Sequence, residues 1–325
     1  MPVFAAVDIG SNSVRLSIAD LRNGRLVPLH QDREVTRLGE GVFREGNLDP
    51  KAMARTLKVL RRFHRTVQSF AVERTRVVAT SAMRDSRNAQ VFTEWVRSVT
   101  GWNVEIISGL EEGRLIHLGV VASMRTRPRK MLLIDLGGGS CELTLSEKGH
   151  VKEIVTLPLG AVRLTQEFIR HDPPQKDELK RLHEFIAEEA ERIPRQIRQG
   201  SVTAAIATSG TAAALAGAAQ SLKLAQGAVS QAAGEKLAKK LARLTHRQRA
   251  AIKGINQKRA EIVVAGAVVY AYLLKACGIA RFRYSPLGLR DGLLAQMAAE
   301  HDSRTRSHRQ LQSDRQDVLM NISRR

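Results

Sequence analysis

Two stretches decide the fold, AAVDIGSNSV at 5–14 and LLIDLGGGSC at 132–141. Each runs from an apolar strand through an Asp and a Gly into small polar residues. Aligned, they put Asp8 with Asp135, Gly10 with Gly137, Ser13 with Ser140 and Leu16 with Leu143, all 127 residues apart. A hairpin whose turn is made of Gly, Ser and Asn exposes backbone N–H groups with no bulky side chain in the way, which is the make-up of a phosphate cradle. In the second copy Asp135 ends one strand and Glu142 lies on the next, so carboxylates flank the amides. Carboxylates and phosphate share a space when a divalent cation lies between them, and Mg²⁺ is the default choice.

Working outward, the first copy opens three short strands with an Asn23-Gly24 hairpin signal. A helix over about 53–70 follows, opened by NLDP, then strand and helix alternate through RTRVVATSAM, a helix stopping at Gly101, NVEIIS and LEEGRLIHLGVVASM. The second copy starts the same order again: three strands, a helix over 175–199, the strand VTAAIATSG, Ala-rich and basic helices, a buried helix over 258–277, a last strand and a last helix. The spacing predicts an α/β protein of two domains, 1–125 and 126–300, facing one another across a cleft. The segment 301–325, with six Arg against three Asp, reads as a basic, mostly disordered tail.

Composition narrows the partners. A net charge of +20 predicts attraction to polyanions, and nine Lys and Arg fall between Lys236 and Arg259. No helix-turn-helix, zinc-finger or RNP signature accompanies the charge, and aromatic content of 4% argues against a base-stacking platform, so no specific nucleic acid is expected. Two cysteines make neither a disulfide framework nor a zinc site. The stretch 262–274 is too short to span a membrane, and the N-terminus lacks a signal-peptide pattern, so a cytoplasmic setting with no membrane partner is expected. The apolar helices leave a homodimer open.

The paired loops resemble phosphate-1 and phosphate-2 of the actin, sugar-kinase and heat-shock-chaperone superfamily, which is built from two ribonuclease-H-like domains. Seven segments in order, VDIGSNSVRL, ATSAMRDSRNAQVF, VEIISGLEEGRLIHLGV, LLIDLGGGSCELTL, LPLGAVRLTQEF, IATSGTAAALA and GLRDGLL, resemble more closely the exopolyphosphatase and guanosine pentaphosphate phosphatase family, over about 1–298. The resemblance implies hydrolysis of a terminal phosphoanhydride with Mg²⁺ or Mn²⁺. It carries the general base onto Glu112 and a phosphate-gripping guanidinium onto Arg84. It assigns phosphate binding to Gly10, Ser11, Asn12, Ser13, Gly137, Gly138, Gly139 and Ser140, with Ser209, Gly210 and Thr211 as a further loop. The metal falls to Asp135 and Glu142 with Asp8 as companion. Departures are Cys141 where Thr is usual, Val264 where Pro is common and Pro286 where Asp is common.

The implied activity is an exopolyphosphatase favouring shorter chains, because the helical domains that long relatives append do not follow the second copy. Guanosine pentaphosphate phosphohydrolase shares every motif. An ATP-dependent kinase or actin-like protein would use the same fold, and a polyanion-binding regulator would use the same charge.

Overall fold

The two quoted stretches become two hairpins of the same geometry. The structure, a computed structural model, describes residues 1–124 and 126–303. In the first half, β1 (Val3–Ile9), β2 (Ser13–Arg22), β3 (Arg25–Val35), β4 (Arg74–Ala79) and β5 (Val104–Ile106) form a sheet in the order β3-β2-β1-β4-β5. In the second half, β6 (Lys130–Leu136), β7 (Cys141–Glu147), β8 (His150–Leu157), β9 (Ala204–Thr208), β10 (Val229–Ser230) and β11 (Arg281–Tyr284) form a sheet that reads β8-β7-β6-β9-β11-β10. The order is the same with one short strand added, and in both sheets the first three strands are antiparallel while the fourth joins parallel. This is the two-domain ribonuclease-H-like fold that the resemblance implies.

Even the irregularities repeat. The pairing of β2 with β3 slips between Ile18 and Ala19, and that of β7 with β8 slips between Leu145 and Ser146, again 127 residues on. An extra residue on one strand bends it and raises its twist. The bend therefore recurs at matching points of the two hairpins.

Three cores form among the described residues. One lies under the helices Pro50–Gln68 and Ala89–Thr100 of the first half, and a larger one fills the second half. The third lies between the two sheets and joins Phe4, Ala6 and Val78 to Met131 and Leu133 through two helices. The first is Gly109–Ala122, which leaves the first sheet and lies on β7 and β8; the second, 289–303, leaves the second sheet and returns to the first. Each half thus lends a helix to the space between them.

Some boundaries differ from those read in the sequence. The helix expected over 258–277 is two, Gln257–Ala260 and Val263–Ala276, with Asn256 capping the first and the break at 261–262 turning Arg259 toward the cleft. The helix expected over 175–199 ends at Glu191, with a separate turn Arg195–Arg198 after Pro194. A short helix Ser81–Arg84 occupies what reads as a loop. The last helix continues through residues 301–303; the tail reading otherwise falls on 304–325, outside the described residues. No helix among the described residues is long and apolar enough to cross a membrane.

The two central helices cross on glycine. A Cβ at Gly292 would overlap the backbone of Leu115, and one at Gly119 would press on Gly288 O and Gly292 N. Gly292→Ala is expected to destabilise the fold by about 1–3 kcal/mol, the usual cost of overpacking. Thermal and urea unfolding of that variant would measure it; an unchanged midpoint would contradict the close crossing.

Candidate active site

The hairpin loops face each other across a cleft of about 320 Å³. In the second loop, Gly137 N donates to Ser140 O at 2.9 Å and closes the turn; Gly10 N does the same to Ser13 O at 3.2 Å in the first. The carbonyls are tied down outside the cleft. Ala161 N donates to Gly137 O, Val162 N and Arg163 N donate to Gly138 O, and Arg163 Nε donates to Gly139 O at 2.7 Å. Gly39 N and Arg37 N hold Ser11 O and Asn12 O likewise. In a trans peptide the N–H points opposite to the C=O. The amides of Asn12, Ser13, Gly138, Gly139 and Ser140 are thus directed away from those anchors, toward the cleft these residues line.

Small residues are needed for this. A Cβ at Gly160 would overlap the backbone of Gly139, and a Cβ at Gly139 would overlap Ser81 and Phe43. Ser209, held at φ 75°, donates its hydroxyl to Leu136 O at 2.7 Å, and with Gly210 and Thr211 it brings the start of the helix Ser209–Ser221 to the same cleft.

Glu112 stands in the first turn of its helix, which Ser108 caps by accepting from Glu111 N. One of its carboxylate oxygens lies with one from each of Asp135 and Glu142 in a set within 4.8 Å of one another. Burial, opposed by Arg84 and reinforced by the charges of Asp135 and Asp8, pushes Glu112 up to about 8. Burial and then the charges of Glu112 and Asp135 push Glu142 well above the usual carboxylate range. Neither Glu142 oxygen takes a hydrogen bond of good geometry; Ser140 favours the charged form only weakly against that burial. Asp135, also raised by burial, accepts from Thr208 Oγ1. Three oxygen-donor groups lacking cationic partners apart from Arg84 are a fitting donor set for a hard divalent cation.

Other expected residues fall in different places. Asp8 lines the cleft and raises Glu112 and Asp135 electrostatically, but Glu112 rather than Asp8 completes the close carboxylate set. Arg84 does not line the cleft: its Nη1 donates to Ile107 O at 2.8 Å and to Glu112 Oε2 at 3.4 Å, so it sits beside Glu112. Glu142 also lies off the cavity wall, and Glu111 is taken by Arg114. Cys141 is buried with its thiol pushed well up, so it packs as an inert side chain. Pro286 lies on the cleft wall, whereas Val264 is core.

Four arginines that sequence reasoning missed line the cleft: Arg15, Arg33, Arg259 and Arg290. Arg15 opposes Arg33 directly across β2 and β3, and Arg15 is the counterpart, at the 127-residue offset, of Glu142. None of the four makes an ion pair among the described residues. Arg259 is buried, touching Thr211 Oγ1 at 3.3 Å, and burial followed by Arg33 and Arg15 brings it down to about 9. Burial with Arg15 also lowers Arg290, and Arg33, the exposed member, is lowered to about 10. Like charges so placed repel, and an anion between them relieves it.

Comparison with known proteins agrees. Residues 17–301 match the model of the Ppx/GppA phosphatase family. Exopolyphosphatase 2 of Mycobacterium tuberculosis is 32% identical over 313 residues, covering 90% of this chain and 98% of that one. The crystal structure of an Aquifex aeolicus Ppx/GppA family member covers 92% of this chain and 98% of its own at 29% identity and a TM-score of 0.76. An exopolyphosphatase structure from Cytophaga hutchinsonii has a TM-score of 0.85 at 28% identity, over 92% and 98% of the two chains.

The raised Glu112 has a consequence for stability. Folded chain keeps a proton there that the unfolded chain releases from about pH 4.5, so stability falls as pH rises from 4.5 toward 8. With EDTA present, Glu112→Gln is expected to raise Tm, by about 2–4 °C for each kcal/mol recovered, with the gain growing from pH 5 to pH 8. A Tm at pH 8 equal to or below that of the wild type would contradict the buried charge.

Proposed function

The chain belongs to the Ppx/GppA phosphatase family, and from that premise we propose that it is an exopolyphosphatase, hydrolysing the terminal phosphoanhydride of inorganic polyphosphate to orthophosphate. The observation that carries this reading is the meeting, in one cleft, of a carboxylate cluster, two amide-lined loops and four arginines without ion-pair partners. That combination suits a chain of phosphates whose end is cleaved and whose remainder is held. Substrate size follows the same reasoning. A cleft of about 320 Å³ holds the end of a chain and the phosphates just behind it, and we propose a preference for shorter chains.

In this reading the terminal phosphoryl group rests on the amides of the loops 10–13 and 137–140. Ser209, Gly210 and Thr211 with Arg15, Arg33, Arg259 and Arg290 hold the phosphates behind it. Glu112, oriented by Arg84, takes the proton from a water in line with the scissile P–O bond; the water oxygen bonds to phosphorus, that P–O bond breaks, and the shortened chain leaves with the electron pair. Burial, against the pull of Arg84, raises Glu112 to about 8 and so makes it a stronger base than an exposed carboxylate. Of the close carboxylate set, Asp135 and Glu142, with Asp8 beside them, would hold Mg²⁺ or Mn²⁺, and Glu112 is left to take the proton; the cation when bound would neutralise the charge of the phosphate oxygens. The free buried thiols Cys141 and Cys277 support a reducing, cytoplasmic setting.

Guanosine pentaphosphate is the second reading, favoured by Tyr284, an aromatic residue among those lining the cleft and 39% exposed, the kind of side chain on which a base stacks. Orthophosphate release from short and long polyphosphate, guanosine pentaphosphate and ATP separates the readings. Glu112→Gln is expected to lose about 10²–10⁴-fold in kcat with KM little changed. Arg259→Gln and Arg33→Gln are expected to raise KM for polyphosphate and to flatten its dependence on salt, without loss of Tm. Release confined to guanosine pentaphosphate would select the second reading, and release from none of the four would overturn both.

A further inference from the structure

Of the three carbonyls that anchor the second loop, those of Gly137 and Gly138 are held by backbone amides, but Gly139 O depends on a side chain, Arg163 Nε at 2.7 Å. The same guanidinium lies 4.1 Å from the centre of the Phe43 ring and pairs through Nη2 with Asp85. Phe43 and Asp85 belong to the other half of the molecule. Asp85 closes the turn Ser81–Arg84, its N–H donating to Ser81 O at 2.9 Å. Ser81 lines the cleft against Gly139, and Arg84, at the end of that turn, reaches Glu112. One planar fork therefore touches the loop and, through Asp85, the turn that carries the partner of Glu112. A lysine has neither the fork nor the flat face that stacks on Phe43.

We propose that Arg163 is a positioning residue: it sets the Ser140 amide by holding Gly139 O, and through Asp85 it keeps the turn bearing Arg84 in register with that amide, so the phosphate cradle and Glu112 hold a fixed relation across the cleft. The role rests on the exopolyphosphatase reading. Arg163 is not among the residues lining the cleft, so its loss acts on the geometry of the reacting groups. Small misplacement of such groups costs rate far more than affinity.

The test uses the full chain, short polyphosphate with Mg²⁺, and the variants Arg163→Ala, Arg163→Lys, Asp85→Asn and the Arg163→Ala/Asp85→Asn double variant, with Tm recorded for each. Arg163→Ala is expected to lose about 10–100-fold in kcat with KM within about threefold of wild type. Millimolar guanidinium should restore part of the lost kcat, while sodium chloride at equal ionic strength should not. Arg163→Lys should remain impaired. Asp85→Asn should lose kcat as well, and the double variant should be no worse than Arg163→Ala, because the two act as one unit. Overturning results are an unchanged kcat, a loss confined to KM, a loss that guanidinium does not relieve, or additive losses in the double variant. A wild-type chain that releases no phosphate removes the reading on which the role rests, a failure distinct from an active wild type with an equally active Arg163→Ala.

Discussion

A trans peptide cannot turn its N–H toward a ligand without turning its C=O the other way, and a carbonyl turned away from the ligand needs a donor of its own. The second loop meets that requirement with the first amides of the helix Ala161–Phe168 and with Arg163, and the first loop with the amides of Arg37 and Gly39. Much else follows from it. The helix can come so close only because residue 160 has no side chain, and the loop can sit against Ser81 and Phe43 only because residue 139 has none. Glycine at these positions is a matter of approach rather than of turn geometry, since neither adopts a positive φ.

The two halves share a scaffold and divide the charge. At equivalent places on the second strand of each hairpin stand Arg15 and Glu142, the first lining the cleft and the second completing a carboxylate set. The repeated bulge takes part in this division. Counting back from the Asn23-Gly24 turn in simple register, Arg22 pairs with Arg25 and Ala19 with Pro28, which would bring Arg15 opposite Asp32. The slip at Ile18 moves it opposite Arg33 instead. An ion pair is thereby replaced by two facing guanidiniums, a local loss in stability that makes sense at a site for an anion.

That slip marks the limit of what the residues alone disclose. The hairpins, the order of strands, the cleft and most of its wall were legible, because alternation, the Gly-rich turns and the 127-residue repeat are local signals. Glu112 was legible through its motif, while the pairing of Glu111 with Arg114 became visible only in the structure. Arg15, Arg33, Arg259 and Arg290 were not: among 52 Lys and Arg nothing in the spelling sets them apart until register and a helix break turn them into one cavity. Arg84 was legible through its motif, but its contact with Glu112 was not, since it joins positions 28 residues apart across a strand and a cap. The exchange of helices between halves was equally hidden, because the glycines at 119 and 292 become informative only once their helices cross.

Opposite charges in the cleft do not cancel one another. The carboxylates of Glu112, Asp135 and Glu142 are raised by burial and by neighbouring carboxylates, Asp8 among them, while Arg259 and Arg290 are lowered by burial and by other arginines. Arg84 with Glu112 is the ion pair that the described residues form within this set, and Asp8, near Arg15, Arg290 and Arg33, tempers the rest without contact. If stability alone shaped the site, the arginines would close onto the acids, and the cleft would fill with salt bridges of little use to a ligand. Instead the fold keeps the two sets apart on rigid strands and loops, each in want of the opposite charge. A cation with a phosphate chain supplies both at once, the metal to the acids and the phosphates to the arginines and amides. The unfavourable electrostatics of these two sets become binding energy only for a ligand that carries both charges in the right order, which in the proposed reading favours a metal-bound phosphate chain over a lone anion or a lone cation.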